Sequence, residues 1–144
     1  MTSSPRDPTE LEPSYALQDT LGIRMTEWSR DFARVEAEFT DLLKNRQGLL
    51  HGGIHALLLD TAMGYAGCYT GIAGQQQNAL TLSMTVNFVG QLRGKRLIAT
   101  GRRTGGGRKV YFAEAEVRDD TGGLLANATG VFRYRSGPLV DGRP

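Results

Sequence analysis

The sequence has few of the residues that build disulfides, metal sites and thiol-based catalysis. Its 144 residues include one cysteine, Cys68, and two histidines, His51 and His55. One cysteine excludes an intrachain disulfide framework and is typical of a reducing compartment, so Cys68 is interpreted as a small core residue. The three positions form no metal-ligand pattern, and no metal is expected. We interpret His55 as a packed or interface histidine.

Long apolar runs and strong net charge are also missing. No apolar run reaches about eighteen residues, so no membrane-spanning helix is predicted. The net charge is +2, and the basic residues are not interleaved with aromatics, so a nucleic-acid partner is not expected. Residues 1–14 contain three prolines and lack the apolar core of a signal peptide. We predict a flexible tail over residues 1–14, one domain over 15–136, a second tail over 137–144, and a cytoplasmic location.

Alternating polar and apolar residues predict several antiparallel strands. The predicted strands are residues 23–28, 32–40, 79–89, 96–104, 109–118 and 124–135. In the third strand the alternation groups Leu80, Leu82, Met84, Val86 and Phe88 on one face, against Thr81 and other polar residues. Because the last four strands are joined by short turns, neighbours should be antiparallel.

A single long helix interrupts the strands. Residues 54–70 contain no proline and are rich in Ala, Leu and Met, which predicts a helix that is apolar on nearly every side and therefore buried. The fold class is therefore α+β, with one curved antiparallel sheet of five to six strands wrapped around one helix.

One carboxylate, Asp60, lies in the middle of this helix. No cation stands three or four residues away to compensate its charge. Three interpretations remain: Asp60 pairs with a distant arginine, its side of the helix meets solvent, or it is catalytic.

The glycines that start the helix suggest a partner for Asp60. Gly52 and Gly53 can adopt backbone angles closed to other residues, and their N–H groups at a helix N-terminus favour negative charge. Such N–H groups can polarise a carbonyl. Asp60 follows Gly52 by eight residues, roughly 12 Å along a helix axis, so one helix cannot bring both groups to one carbonyl. Two antiparallel helices related by a twofold axis could.

The pattern Asn45-x-x-Gly48-x-x-His51-Gly52-Gly53, with Asp60 seven residues later, resembles the hotdog-fold acyl-CoA thioesterases, and specifically the PaaI-like (phenylacetate-degradation) type. The resemblance covers about residues 20–135. It implies an acyl-CoA substrate with coenzyme A as part of it, no separate cofactor, a homodimer as the minimal unit, and frequently a homotetramer.

By position, the resemblance also implies roles for five residues. Asp60 would be the nucleophile or the general base, and Gly52 would supply the N–H that polarises the thioester carbonyl. Asn45 and His51 would hold the loop and position thioester or water, although His51 could equally be a purely structural loop residue. Thr81 would help to orient the attacking water.

The segment from Arg102 to Lys109 keeps two interpretations open. It is either a glycine hairpin flanked by solvated charges or a site for the phosphates of coenzyme A, which would use Arg102, Arg103, Gly105, Gly106 and Arg108. For the whole chain, the alternatives to a hydrolase are a non-catalytic acyl-CoA binding or sensing module and a hydratase or dehydratase on a related fold. The last is disfavoured because such enzymes use a catalytic histidine paired with an acid, and no histidine follows His55.

Overall fold

A computed structural model of the chain describes residues 11–135. The predicted tail residues 1–10 and 137–144, and the predicted domain end at residue 136, lie outside the described residues. Leu11, which the prediction assigned to the N-terminal tail, packs against a small cluster around Trp28. The elements are α1 (Ala16–Leu21), β1 (Ile23–Ser29), β2 (Phe32–Glu38), a 3-10 turn (Asp41–Leu43), α2 (Gly52–Ala66), β3 (Asn78–Phe88), β4 (Arg96–Gly106), β5 (Val110–Asp119) and β6 (Leu124–Arg135).

The six strands form one antiparallel sheet in the order β1-β2-β4-β5-β6-β3, which confirms the predicted α+β architecture. Helix α2 lies across the inner face of this sheet. That face is lined by small side chains, which leave room for the helix: Ala33, Ala37, Ala99, Ala113, Ala115, Ala126 and Ala128. At the closest approach a Cβ on Gly101 would lie 2.4 Å from the carbonyl oxygen of Ala62, so only glycine allows helix and sheet to meet there.

Helix α2 is buried on one side only. Its fully buried residues face the sheet, and they are His55, Leu58, Leu59, Ala62, Met63 and Ala66. Gly53, Ala56, Asp60 and Gly64 follow the spacing of residues that share a helix side, and they lie on the opposite, less buried side. The prediction of a helix buried all round is therefore corrected: one side stays open within a single chain.

The helix also starts and ends earlier than predicted. It begins at Gly52 because His51 caps it, and it ends at Ala66 rather than Thr70. Its last carbonyl groups accept hydrogen bonds from aromatic side chains of the sheet, namely Tyr111 Oη to Met63 and Gly64, and Trp28 Nε1 to Tyr65. These donors satisfy carbonyls that a helix end leaves unpaired.

A β-bulge in β3 changes which side chains face the helix. Thr81 pairs with Phe132 and Ser83 pairs with Val131, so Leu82 opposes no residue of β6. Met84 and Val86 point to the core as predicted, but the bulge turns Leu80 and Leu82 away from it, and they are 50% and 56% exposed. The predicted single apolar face of this strand is therefore wrong at these two leucines, and Thr81 takes their place on the inner face.

Candidate functional site

The loop before α2 is held by the side chain of Asn45. Its Oδ1 accepts hydrogen bonds from the backbone N–H of Gln47 (2.8 Å) and of Leu49 (3.1 Å), and its backbone N–H donates to the Leu49 carbonyl (2.7 Å). Gly48 has a φ of +81°, which closes the turn and favours glycine. The carbonyl of Leu43 then accepts from the His51 N–H, so the loop delivers the chain to the helix start in one defined conformation.

His51 is the N-cap of α2. Its Nδ1 accepts a hydrogen bond from the Gly53 N–H at 2.8 Å, which satisfies one of the free donors of the first turn. Because Nδ1 is the acceptor here, the ring proton of the neutral imidazole is assigned to Nε2. A Cβ on Gly53 would lie 2.9 Å from this Nδ1, so the cap requires glycine at position 53.

Gly52 presents the first N–H of the helix. Among residues 11–135 this N–H has no hydrogen-bond partner, and it lies at the positive end of the helix dipole. Neither Gly52 nor Gly53 has a positive φ, so the predicted use of their backbone freedom is wrong. Gly53 leaves space for the His51 ring, whereas a Cβ at position 52 would make only an ordinary contact with Phe88. Gly52 lines a cavity of about 290 Å³, here called the helix-start cavity, together with Phe39, Asn45, Gly48, Leu49, Leu50, His55, Phe88, Gly90, Gln91 and Leu92.

Asp60 is held by Thr81 across the gap between α2 and β3. Thr81 Oγ1 donates a hydrogen bond of 2.6 Å to Asp60 Oδ1. This contact depends on the bulge at Leu82, because a regular strand would point Thr81 to the outer face. Within residues 11–135 no Lys, Arg or His forms a salt bridge with Asp60, which leaves the distant-arginine interpretation without support.

Asp60 and Thr81 line a second cavity of about 420 Å³, here called the carboxylate cavity. Its other lining residues are Glu12, Pro13, Tyr15, Thr61, Gly64, Tyr65, Cys68, Gln76, Gln77, Asn78, Ala79 and Phe132. It shares no residue with the helix-start cavity. Asp60 follows Gly52 by eight positions, or roughly 12 Å along the helix, so one chain keeps the N–H donor and the carboxylate in separate cavities.

His55 lines the helix-start cavity, whereas the sequence predicted only a packed or interface histidine. It is 7% exposed, as expected for a packed histidine, yet it also lines the helix-start cavity beside Gly52. Its ring meets the Phe88 ring edge-on at 5.6 Å, and its Nδ1 is buried without a hydrogen-bond partner within residues 11–135. Burial lowers the pKa of His55. The signal in the sequence was its spacing, since a residue three positions after Gly52 shares its helix side.

The structure separates the basic residues that the sequence grouped together. Arg102 lies on the outer face of the sheet, with its guanidinium 4.8 Å from the Phe32 ring centre. Arg103 lies on the inner face, 6.0 Å from the Tyr111 ring centre. Gly105 and Gly106 end β4, and Arg108 follows in the hairpin loop. Arg102 and Arg103 of one chain therefore cannot contact the same phosphate.

Other candidate chemistries find no geometric support in the described part of the chain. Burial raises the pKa of the Cys68 thiol to about 11, which fits a core residue rather than a nucleophile. Among residues 11–135 no three His, Cys, Asp or Glu side chains come close enough to hold a metal ion. Over the same residues, no helix has the length and apolarity that crossing a bilayer requires.

A family model and several solved structures are similar to this chain. The family described as Thioesterase superfamily matches residues 47–126, more than half of the chain, and this range includes His51, Gly52, Asp60 and Thr81. A thioesterase family protein from Silicibacter pomeroyi is 25% identical, with 85% of this chain and 91% of that chain covered and a TM-score of 0.75.

Two further structures share the fold. A thioesterase from Haemophilus influenzae is 19% identical, with 85% of this chain and 84% of that chain covered and a TM-score of 0.75. The PaaI protein from the phenylacetic acid degradation operon of E. coli is 21% identical, with 86% and 87% covered and a TM-score of 0.73. The chain thus belongs to the thioesterase superfamily and adopts the hotdog fold of these proteins.

Proposed function

We propose that this protein is an acyl-CoA thioesterase that hydrolyses an acyl- or arylacyl-CoA thioester to the free acid and coenzyme A. The observation that carries the proposal is the placement of Asp60. It is a carboxylate without a cationic partner among residues 11–135, oriented by the Thr81 hydroxyl and open to a cavity. A carboxylate in a cavity, oriented by a hydroxyl donor, is a candidate general base or nucleophile.

The proposed reaction uses two groups. The Gly52 N–H, aided by the helix dipole, donates to the thioester carbonyl oxygen while negative charge develops there. Asp60 accepts a proton from water, the hydroxide oxygen bonds to the carbonyl carbon, and the C–S bond breaks to release the thiolate, which takes up the proton. In the alternative course Asp60 itself attacks the carbonyl, and water then hydrolyses the mixed anhydride. Asn45 and His51 contribute by fixing the loop and the cap that aim the Gly52 N–H.

Because the two groups lie in separate cavities, we propose that each active site combines Gly52 of one subunit with Asp60 of another. Strand β3 supports this arrangement, since it is an eleven-residue edge strand with exposed Leu80, Leu82 and Phe88. Long apolar edges of this kind are prone to pair with another chain. Pairing two β3 strands would continue the sheet and bring the open sides of two α2 helices together. We propose a homodimer as the minimal unit and a homotetramer as the assembled form, which sedimentation measurements would test.

The first experiment measures release of free thiol from a panel of aryl-CoA and short, medium and long alkyl-CoA thioesters. Asp60→Asn should fold normally and lose about 10²- to 10⁴-fold in kcat, the usual contribution of a positioned acid or base. Asp41→Asn is the matched control, because Asp41 pairs with Lys44 outside both cavities. Unchanged turnover in Asp60→Asn would rule out the proposed role. Binding of thioesters without thiol release by the wild type would favour the binding or sensing module.

A second experiment tests the shared site. Chains carrying Asp60→Asn are combined with chains carrying Gly52→Pro, which removes the N–H. In a mixed dimer one site receives both intact groups and the other receives both lesions, so a mixed dimer should keep about half of the wild-type activity. Random equimolar mixing, which makes about half of the dimers mixed, should therefore return about a quarter. A site built within one chain would give no recovery, since every site would then carry one lesion.

The contacts of coenzyme A and the location of the protein are also proposals. Arg108 together with either Arg102 or Arg103 would bind the phosphates, because those two arginines face opposite sides of the sheet. Arg108→Ala should then raise KM and leave kcat unchanged. A cytoplasmic location is supported by the single free thiol of Cys68.

A further inference from the structure

One wall of the carboxylate cavity comes from outside the sheet and the central helix. Strands β3 and β6 supply Asn78, Ala79, Thr81 and Phe132, and α2 supplies Asp60, Thr61, Gly64 and Tyr65. Cys68, Gln76 and Gln77 come from the loop between α2 and β3. The remaining wall is formed by Glu12, Pro13 and Tyr15, here called the N-terminal wall. Composition predicted a flexible tail through residue 14, whereas the structure places Glu12 and Pro13 in the lining of the cavity that contains the candidate catalytic carboxylate.

The N-terminal wall is fastened to α2 through a buried amide. Gln18, on α1, is 3% exposed. Its Nε2 donates a hydrogen bond of 3.0 Å to Tyr65 Oη, and its Oε1 accepts one of 3.3 Å from the Tyr15 N–H. The amide oxygen therefore binds Tyr15 of the N-terminal wall, and the amide nitrogen binds Tyr65 of α2. Polar groups at this depth need such partners, so the position of the wall relative to the cavity is defined.

The anchor on the helix side is itself rigid. Tyr65 packs edge-on against Trp28 with ring centres 5.6 Å apart, and its carbonyl accepts a hydrogen bond of 2.8 Å from Trp28 Nε1. Gly22, whose φ is +71°, is the C-cap of α1, and β1 begins at the next residue, Ile23. The segment is therefore fixed at Gln18 and again at the start of the sheet.

We infer that residues 12–18 limit the length of the acyl group bound beside Asp60, with Tyr15 as the specificity-determining contact and Gln18 as the residue that positions it. This inference rests on the proposed function, because it concerns the acyl group of the same thioester. The rings of Tyr15, Tyr65 and Phe132 supply apolar surface to a cavity that is also lined by polar side chains, among them Gln76, Gln77 and Asn78. Its volume of about 420 Å³ lies toward the lower end of ligand pockets, so a displaced wall should change which acyl groups fit.

The test compares Tyr15→Ala with Leu17→Ala in the full chain. These side chains are 48% and 47% exposed and lie two residues apart, but only Tyr15 lines the cavity. For a series of straight-chain acyl-CoA thioesters, Tyr15→Ala should raise the ratio of kcat/KM for long chains to that for short chains about tenfold or more, the usual effect of added pocket space. Leu17→Ala should keep the wild-type ratio. An unchanged ratio in Tyr15→Ala, or an equal shift in Leu17→Ala, would overturn the inference.

Gln18→Leu and Tyr65→Phe test the fastening from its two sides. Each removes the hydrogen bond between Gln18 and Tyr65, so each should shift the length preference in the same direction as Tyr15→Ala. Because Gln18→Leu also removes the bond to the Tyr15 N–H, the double variant should shift the preference no further than Gln18→Leu alone. A purely structural role for Gln18 would lower stability without moving the length preference, and that result would overturn its assignment as a positioning residue.

A binding measurement separates this inference from the hydrolase proposal. Non-hydrolysable acyl-CoA thioethers of increasing length are titrated into wild type and Tyr15→Ala, with binding followed through Trp28, the only tryptophan of the chain. A length-dependent affinity that Tyr15→Ala shifts would support the wall even if no thioester were hydrolysed. If thioesters are hydrolysed and Tyr15→Ala leaves the length preference unchanged, the proposed role of the N-terminal wall is wrong and the hydrolase proposal stands. No binding at any length would overturn both.

Discussion

Replacing Gly52 by proline removes the proposed carbonyl donor while sparing the fold. Proline lacks an N–H, and the Gly52 N–H has no partner among residues 11–135, so the substitution breaks no described hydrogen bond. Position 52 is the first residue of α2, where proline is favoured. His51 has a ψ of 129°, which is compatible with a following proline, and a Cβ at position 52 would lie 3.5 Å from the Phe88 ring, an ordinary contact.

The expected loss follows from the chemistry of one donor. Removing a single N–H that stabilises a developing oxyanion costs about 2.7–4 kcal/mol, so kcat should fall about 10²- to 10³-fold. The melting temperature should stay at the wild-type value or rise, because proline reduces the conformational freedom of the unfolded chain. Thiol release under saturating thioester and thermal denaturation together provide the assay.

Gly52→Ala is the matched control, since it adds a Cβ at the same position and keeps the N–H. Its loss of kcat should be clearly smaller than that of Gly52→Pro. If Gly52→Pro kept kcat within a few-fold of wild type, the N–H would not stabilise the transition state. If Gly52→Ala lost as much as Gly52→Pro, crowding rather than the missing donor would be the cause.

Three more predictions concern single side chains. Thr81→Val removes a hydroxyl donor to a carboxylate, worth about 1.5–3 kcal/mol, and should lower kcat about tenfold or more, whereas the outward-facing Thr85→Val should not. Burial lowers the pKa of His55 below 6.5, so as the pH falls the histidine is protonated in the unfolded chain before it is protonated in the folded one. The free energy of unfolding should therefore decrease as the pH drops below about 6.5. His55→Gln should reduce this pH dependence, measured by urea unfolding at several pH values. Asp119 is buried and accepts hydrogen bonds from Thr121 Oγ1 and from four backbone N–H groups, which hold its pKa below 3.8. Its stabilisation is present above pH 3.8 and lost below it, and Asp119→Ala should cost about 3 kcal/mol or more at pH 7, measured by denaturant unfolding.

The sequence predicted the architecture because its patterns are local. Alternation over four to twelve residues located the strands, and the apolar run located the helix. The distance between Gly52 and Asp60 follows from the rise per residue of a helix, so the sequence alone predicts that the two groups lie too far apart to share one carbonyl. The adjacent Arg102 and Arg103 could also have been assigned to opposite faces, because side chains alternate along a strand.

Other features depend on residues distant in the sequence. The end of α2 depends on Tyr111 and Trp28, which lie on strands distant in sequence and donate hydrogen bonds to the last carbonyl groups of the helix. The N-terminal wall was missed because proline and charge near a chain end are typical of a tail, and only the buried contact between Gln18 and Tyr65 shows otherwise. The bulge was missed because Leu82 fits the alternation that it interrupts.

Within one chain, that bulge makes Leu82 dispensable for the pairing of β3 with β6. From Met84 back toward the N-terminus, Met84 faces the core and Ser83 faces outward. Leu82 is unpaired, and Thr81 faces the core again. A chain shortened by Leu82 alone would pair regularly with β6 and still present the Thr81 hydroxyl to Asp60. A chain that kept Leu82 but paired without the bulge would present Leu80 and Leu82 instead, burying more apolar surface and losing the hydroxyl. In a scan of single-residue deletions along β3, position 82 should therefore tolerate removal best.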